Sequence, residues 1–591
     1  MTTLKDHYDV IVVGAGIQGL CAAHTFLSVN SSLSLLIVDD KLSVGGTWAK
    51  EQVYPGLRAN NLQGYFEFSD FPILDADVGV KPRGLISGEA AATYLHKYAE
   101  HFDLLPRLSF NTSVIQATND SDATKAWTLR LMKADKEGSN TQMSVTCSKL
   151  LVATGQTSRP FYPSYPGTQS FRKKSFHTVH LASTGTEILQ DSSISNITIL
   201  GGGKSAQDAV YRFASNGKRV TWIIRKTGRG GLWLAKPYPQ IGPVKAWLEG
   251  LLMTRPLSWF GAAPWSIHDG FGGVRYLLHN TAVGRFITRN YFANVSKTVI
   301  EQSGILKHES TKKLVPKESL MWYGGQAAIS NYDTDFYDTI RDAGVKILYE
   351  DVARLDNDAV VLENGERIQT DALVYATGYE FGPSFPLLPA TKQLGWGIPV
   401  TPSPEESKTF RLLDEHADTE LFIRFPELKH SPSYPERELG VTPWRLWRFI
   451  APLSQVANGP RNLAFLTNIE TYQNFLKAEL VSLWAYAYLN NELDTQPGNE
   501  ADVAYEASLW SRFGKWRCPM GSQGKTGDTL HDNLPYYDTL LGDLGLNSWR
   551  KGWGLIGEVF GGAYELKEYE GIVAEWIASR KQSFGLTKKV K

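Results

Sequence analysis

One pattern, written twice, constrains this chain more than any other feature. A β-branched run, a cluster of glycines, a helix-compatible stretch and a second β-rich run ending in a charge occupy residues 10–39 and again 197–225. In the first copy Val10-Ile11-Val12-Val13 leads into Gly14-Ala15-Gly16-Ile17-Gln18-Gly19, a helix to about Leu27, then Leu35-Leu36-Ile37-Val38 and Asp39. In the second, Ile197-Thr198-Ile199-Leu200 leads into Gly201-Gly202-Gly203-Lys204-Ser205-Ala206, a helix to about Ala214, then Val220-Thr221-Trp222-Ile223-Ile224 and Arg225. Such a run reads as a βαβ unit whose glycine turn can hold a dinucleotide. The chain is therefore expected to hold two nucleotide sites.

In the first unit Gly14 permits the tight strand-to-helix turn, Gly16 lets the backbone approach a pyrophosphate, and Gly19 lets helix and strand pack closely. The helix start then presents unpaired N–H groups and a partial positive charge to the phosphates. Asp39 ends the second strand, where a carboxylate can accept hydrogen bonds from an adenosine ribose. The second unit has Ala206 in place of the third glycine, and Arg225-Lys226 in place of the acid. An acid suits a free 2′-hydroxyl, whereas a guanidinium pairs with a 2′-phosphate, so the second site is expected to prefer NADPH over NADH.

Two further runs, Leu150-Leu151-Val152-Ala153-Thr154-Gly155 and Ala372-Leu373-Val374-Tyr375-Ala376-Thr377-Gly378, each return the chain to one of the two sheets. The second unit is thus expected as an insertion in the first. The expected fold is α/β: two Rossmann-like dinucleotide-binding domains plus a helical C-terminal region. The boundaries fall at 1–185 for the first domain, 186–375 for the second, 376–480 for the closing part of the first and 481–591 for the helical extension. A Trp-, Phe- and Pro-rich stretch at about 231–295 reads as an elaboration on the second domain. It could line a tunnel for a hydrophobic substrate, dip into a membrane surface, or form an oversized core.

Composition narrows the function classes. The 591 residues carry 42% apolar and 21% charged side chains, a globular balance with room for several domains. Sixty-one Lys and Arg against 61 Asp and Glu leave no net field to recruit nucleic acid. Cys21, Cys147 and Cys518 are too few and too scattered for a disulfide framework or a Cys-rich metal site, and no metal site is expected. No signal-peptide pattern and no apolar run of about 18 residues is present, which fits a soluble, cytoplasmic protein.

Gly45-Gly46-Thr47-Trp48 follows Asp39 by six residues. With the two glycine motifs and the two Ala-Thr-Gly strand ends, it resembles the flavin-containing monooxygenases and their Baeyer–Villiger relatives over roughly residues 8–490, with weaker echoes at Leu534-Pro535-Tyr536-Tyr537-Asp538. The resemblance implies FAD at the first site, with Gly46, Thr47 and Trp48 beside it, and NADPH at the second, inserted domain, with Ser205 at its pyrophosphate, a position compatible with helix N-capping. It also implies the family's chemistry, transfer of one atom of O2 to a small organic substrate through a flavin C4a-hydroperoxide. Asn60, nine residues before Ser69-Asp70-Phe71-Pro72, falls where flavin-containing monooxygenases carry an active-site Asn and Baeyer–Villiger enzymes an Asp. It is the one candidate catalytic residue, and Asn60-Asn61 also reads as a turn-prone pair.

The Baeyer–Villiger fingerprint Phe-x-Gly-x-x-x-His-x-x-x-Trp is half present: Phe171 and His177 keep their spacing, but Lys173 replaces Gly and Leu181 replaces Trp. His177 reads as a structural histidine at an interdomain linker. The neighbourhood expected to carry a supporting Arg, Val315-Pro316-Lys317-Glu318-Ser319-Leu320, has none. Electrophilic oxygen transfer (hydroxylation, epoxidation or heteroatom oxidation) is therefore preferred, with Baeyer–Villiger insertion as the alternative. A non-catalytic FAD-binding scaffold is the alternative of another class. The insertion and long tail look like monooxygenases of fungal natural-product pathways acting on hydrophobic, polyketide-like substrates. Oligomeric state stays open.

Overall fold

The structure, a computed structural model, describes residues 4–74, 78–120, 126–135, 138–261, 263–434, 440–457 and 459–589, with side chains as far as 581. Strand β1 (His7–Val13) runs into Gly14, helix α1 (Ile17–Val29) leaves the turn, and β2 (Leu35–Val38) returns parallel to β1, Val13 beside Val38. On the other side of β1 lies the second half of β3 (Asn140–Val152), also parallel, with Val13 beside Val152. All four residues of β2 are buried. This is the continuous apolar run that a parallel strand covered on both faces requires. The first half of β3 forms an antiparallel layer with strands at 127–134 and 112–119, and Leu463–Phe465 lies parallel beside Leu150–Val152. Together with the short strands at 108–109 and 387–388 these make one eight-stranded sheet.

The second sheet has five strands, all parallel. They are β4 (Lys174–His177), β5 (Asn196–Leu200), β6 (Arg219–Ile224), β7 (Lys346–Tyr349) and β8 (Ala372–Tyr375), in the order β7-β6-β5-β8-β4. Helix α2 (Lys204–Ser215) crosses from β5 to β6. The strands of 174–375 thus close on themselves, and the first sheet resumes at Leu387–Leu388 and Leu463–Phe465. In both sheets the glycine turn follows the C-terminal end of a central parallel strand, where open α/β sheets bind ligands.

Helix α3 (Asn474–Leu489) is buried on every side from Phe475 to Leu489 and packs on α1, where Gln18 donates to Ser482 Oγ at 3.1 Å. A helix apolar all round belongs inside a core, and this one backs the first glycine turn. Beyond it come α4 (Glu500–Arg517) and α5 (Asn533–Asp543). The aromatic stretch at 231–295 attaches differently from the expectation. Apart from Leu232 to Ala235, with its partner Ala327–Ile329, its tryptophans lie away from the second sheet: Trp247 stacks on Tyr65 of the first unit at 4.6 Å, and Trp265 joins the helical C-terminal region. Trp265 lies 4.9 Å from Trp510, 5.2 Å from Phe513 and 5.7 Å from Phe449, centroid to centroid, and donates its indole N–H to Asp532 O. The physical reason is area: a buried Trp needs apolar partners all round, and the aromatic-rich helices after residue 500 supply them.

Candidate active site

Each glycine of the first turn is required for a different reason. Gly14 has φ 111°, and a Cβ there would sit 2.4 Å from Ala153 O, so both the turn and the neighbouring strand end exclude a side chain. A Cβ on Gly19 would lie 1.8 Å from Gly14 O, closing helix onto strand. Gly16 has no such conflict: its φ is −78°, and a Cβ would meet nothing nearer than Gly46 Cα at 3.6 Å. The protein itself has room for a methyl group that the residue does not carry. Gly16 also bridges to Gly45, so Gly45 and Gly46 of the Gly-Gly-Thr-Trp turn face the same opening. Helix α1 starts there with no side-chain cap and no acid in its first turn. Uncovered backbone at an uncapped helix start is a cradle for a phosphate group.

Asp39 is where its spacing places it, buried at the end of β2. Its Oδ2 accepts from Ala15 N–H at 2.5 Å and its Oδ1 from Lys41 N–H at 2.8 Å. Burial raises its pKa and those two N–H groups draw it back. The carboxylate therefore fixes the glycine turn, and each oxygen keeps lone-pair capacity for a further donor such as a ribose hydroxyl. Thr47 is exposed, and Trp48 stands edge-on to Phe66 at 5.4 Å.

The second turn repeats the first. Gly201 has φ 140° and would clash with Ala376 O at 2.1 Å, while Gly203 has room for a Cβ, whose nearest neighbour would be Gln326 Oε1 at 3.9 Å. Helix α2 is likewise uncapped and without an acid in its first turn. Ala206 is fully buried, so the methyl group that Gly19 could not carry is accommodated here. Gly203 is the N-cap, which puts Ser205 inside the first turn, exposed, and not in a capping role. Arg225 and Lys226 follow β6, exposed and in no ion pair among the described residues. The donor set fits a dinucleotide with extra negative charge. Lys204 carries no sequence signal of its own, and in the fold its Nζ pairs with Asp208 and lies 4.6 Å over the Tyr332 ring.

Asn60 sits on the strand Arg58–Leu62, at a seam between the two units. Its Oδ1 accepts from Ile329 N–H at 2.8 Å, which leaves the Nδ2 donors of this exposed amide without a partner among the described residues. The flanking residues are pinned: Asn331 donates to Arg58 O and Ala59 O, and Glu249 accepts from Asn61 Nδ2 at 2.6 Å and Leu62 N–H at 3.0 Å. Asn60-Asn61 is thus a strand pair and no turn. The segment facing Asn60 is the one around Ile329 rather than 315–320; from Gly324 to Asn331 it holds no arginine. Arg58 is paired with Asp333. Two contributors escape sequence reasoning because their partners are distant in sequence: Glu249, and Gln156, whose amide donates to Thr467 O at 3.0 Å. His177 is fully buried, its Nδ1 accepting from Val179 N–H and its Nε2 2.9 Å from Gly378 O. Both ring nitrogens are engaged, as a structural role requires.

Burial pushes Glu249 up from 4.5 to about 7, Glu479 to about 8 and Asp532 from 3.8 to about 6, and it lowers His24 and His279 from 6.5 to about 4 and His531 to about 3. The carboxyls hold protons in the folded chain that the unfolded chain releases, so their contribution falls as pH rises from their ordinary values to the raised ones. The histidines act oppositely: the unfolded chain binds more protons between about 4 and 6.5, so their contribution is lost as pH falls. The two sets offset one another between about 4.5 and 6.5. Stability against denaturant is expected to fall from pH 6.5 to pH 8, and a rising midpoint over that interval would contradict the burial of Glu249 and Glu479.

Comparison with known proteins agrees with this geometry. The pattern of the flavin-binding monooxygenase-like family matches residues 7–244. An FAD-dependent monooxygenase of Pyrenophora dematioidea is 33% identical over 567 residues, spanning 92% of this chain and 99% of that protein. Another, of Aspergillus nomiae, is 32% identical and spans 97% and 98%. Among solved structures, a polycyclic ketone monooxygenase from Thermothelomyces thermophila superposes with a TM-score of 0.59 at 18% identity, over 93% of this chain and 90% of that one. A steroid monooxygenase bound to NADP gives 0.57 at 17% identity, over 91% and 98%. At those identities the solved structures speak to the fold, and the full-length relatives speak to the family. The chain belongs to the flavin-binding, FAD-dependent monooxygenases.

Proposed function

We propose that this enzyme holds FAD at the Gly14 cradle and NADPH at the Gly201 cradle, and transfers one atom of O2 to a small hydrophobic organic substrate by hydroxylation, epoxidation or heteroatom oxidation. The observation that carries the reading is the unused room at Gly16 and Gly203, which close approach of a ligand to the backbone would account for. When bound, FAD supplies the redox and oxygen-activating chemistry and NADPH the electrons. The chain's own part is to bind, orient and shelter. Asp39 receives the ribose of the first coenzyme, Arg225 and Lys226 the 2′-phosphate of the second, and Gly46, Thr47 and Trp48 border the first site. Asn60 offers an uncharged donor, held in place by Ile329, Asn331 and Glu249. No arginine occurs at 324–331, and Arg58 is paired with Asp333, so among the described residues no unpaired arginine is found on the two segments that meet at Asn60 to favour a nucleophilic oxygen anion, which supports electrophilic transfer over ketone insertion. Domain limits near 185, 375 and 480 go with this reading. The fungal origin of the full-length relatives supports a place in natural-product biosynthesis.

Mixing the purified holoenzyme anaerobically with NADPH should bleach the flavin band. Admitting oxygen with panels of alkenes, amines, sulfides and ketones should give products heavier by one oxygen atom. No bleaching with any candidate substrate would leave only a flavin-binding scaffold. Arg225→Ala should raise KM for NADPH by about tenfold to a hundredfold, the worth of charge-assisted hydrogen bonds to phosphate, and leave KM for NADH unchanged. Equal losses for both would remove the phosphate assignment. Asn60→Asp should lower kcat on the order of a hundredfold at unchanged flavin content, the effect of losing one preorganised donor; full activity would reduce Asn60 to a structural residue.

A further inference from the structure

Nineteen large apolar side chains stand exposed among the described residues, and ten of them fall in two short stretches, 267–287 and 553–560. The first stretch opens the helical hairpin formed by Gly272–Asn280 and Ala282–Ser303, and the second is Trp553 with the helix Gly554–Phe560. They form one face. Trp549 stacks on Phe271 at 5.7 Å and donates its indole N–H to Asp269 O at 2.9 Å, and Thr254 bridges to Ala563. Helix 282–303 buries Thr288, Phe292 and Ser296 against the protein, so the outward Val283, Phe286 and Ile287 are surplus to its own packing.

Two properties identify what this face meets. The side chains stand proud: Trp553 is 89% exposed, Phe560 81% and Val283 69%. Residues that project from helices rather than line a groove gain most by entering a soft apolar medium. Second, cations outnumber acids along the hairpin, where the charged side chains of the run between Asp269 and Glu301 are all positive. From Gly270 to Ile300 the chain has Arg275, Arg285, Arg289 and Lys297 and no Asp or Glu. Arg275 is buried against Asp269, whereas Arg289 and Lys297 are exposed, with Glu427 and Glu301 as their partners at 3.6 and 3.8 Å. A protruding aromatic and aliphatic face flanked by cations is complementary to the headgroup layer of an anionic bilayer. Among the described residues no helix is long and apolar enough to cross a membrane, so the contact would be interfacial.

We propose that the face formed by the 267–287 hairpin and the 553–560 helix docks on an anionic lipid surface, with Trp553, Phe560, Phe286 and Ile287 entering the interface and Arg289 and Lys297 meeting the headgroups. The proposal does not depend on the coenzyme assignment. It gives the enzyme access to the phase in which hydrophobic substrates accumulate.

Cosedimentation of the full-length flavin-loaded protein with vesicles tests it. The protein should bind vesicles of mixed phosphatidylcholine and phosphatidylserine, bind phosphatidylcholine alone more weakly, and lose the difference at high salt. Two surface pairs separate the contributions: Trp553→Asn with Phe560→Ser, asparagine being tolerant of the left-handed backbone at Trp553 (φ 55°), and Arg289→Gln with Lys297→Gln. The first pair should weaken binding by about tenfold or more, from lost apolar burial. The second should weaken it by about fivefold per cation and remove the preference for phosphatidylserine. Flavin content and thermal midpoint of both should match the wild type, since these side chains are exposed. Failure of the wild type to bind phosphatidylserine vesicles, or undiminished binding by the first pair, would overturn the proposal. So would a wild-type dimer that the first pair converts to monomer, which would assign the face to a second copy of the chain.

Discussion

Gly16→Val should yield a protein that folds and purifies like the wild type but carries no flavin. The argument rests on the unequal surroundings of the three glycines in the first turn. At Gly14 and Gly19 a side chain collides with backbone oxygen of the protein itself, at 2.4 and 1.8 Å, so a variant at either position loses flavin because the turn is broken. Those variants cannot separate a binding defect from a folding one. At Gly16 the backbone is extended, with φ −78° and ψ −174°, a conformation valine adopts freely, and the nearest atom to a Cβ is 3.6 Å away. The Cβ of such a side chain fits the turn, and its methyl groups are expected to take up the space in which a pyrophosphate would meet the start of α1. Circular dichroism and thermal midpoint should therefore match the wild type while the flavin absorbance disappears. Retained flavin at wild-type stoichiometry would show that the phosphate lies elsewhere. Gly203→Val should act in the same way on NADPH, abolishing reduction of a flavin that stays bound.

Local patterns carried the fold, and long-range contacts are where sequence reading stopped. Both βαβ units were legible because their signal is contiguous: a β-branched run, a turn that only glycine can make at Gly14 and Gly201, and a charge at Asp39 or Arg225. The return strands at 150–152 and 372–375 were legible because parallel strands buried on both faces read as unbroken apolar runs. What failed is information that no local window contains. The stretch 231–295 lies next to the second unit in sequence, and only packing shows that Trp265 seats among α4, α5 and Phe449. Glu249 holds Asn61 across 188 positions, and Asn60 meets Ile329 across 269. The turn-like pair Asn60-Asn61 is a strand for the same reason: its polar groups are satisfied by distant partners, which removes the local bonding that would have made a turn.

The same attachment of the 231–295 stretch sets the largest stability effect expected in the molecule. Arg255, completely buried, donates to Glu558 Oε2 at 3.0 Å and to Tyr564 Oη at 3.1 Å, and it pairs with Asp538 of α5. Asp269 lies 3.8 Å away and is itself held by Arg275. Burial disfavours the charge on Arg255, and the surrounding acids, Asp538 first, outweigh it and raise its pKa; burial likewise pushes Asp538 up to about 6 even with the guanidinium beside it. Arg255→Met would leave Asp538 and Glu558 facing one another without their cation, in a site closed to water. Removing one partner of a buried ion network costs roughly 3–5 kcal/mol, more than most single substitutions. The denaturation midpoint should fall accordingly, and limited proteolysis should cut between residues 255 and 295 well before the two glycine-turn sheets. Adding Asp538→Leu and Glu558→Met should recover most of the loss, because apolar groups of similar volume need no counter-charge. If Arg255→Met alone were as stable as the wild type, the network would be incidental to the seam, and the aromatic contacts of Trp265 would have to hold the two segments together unaided.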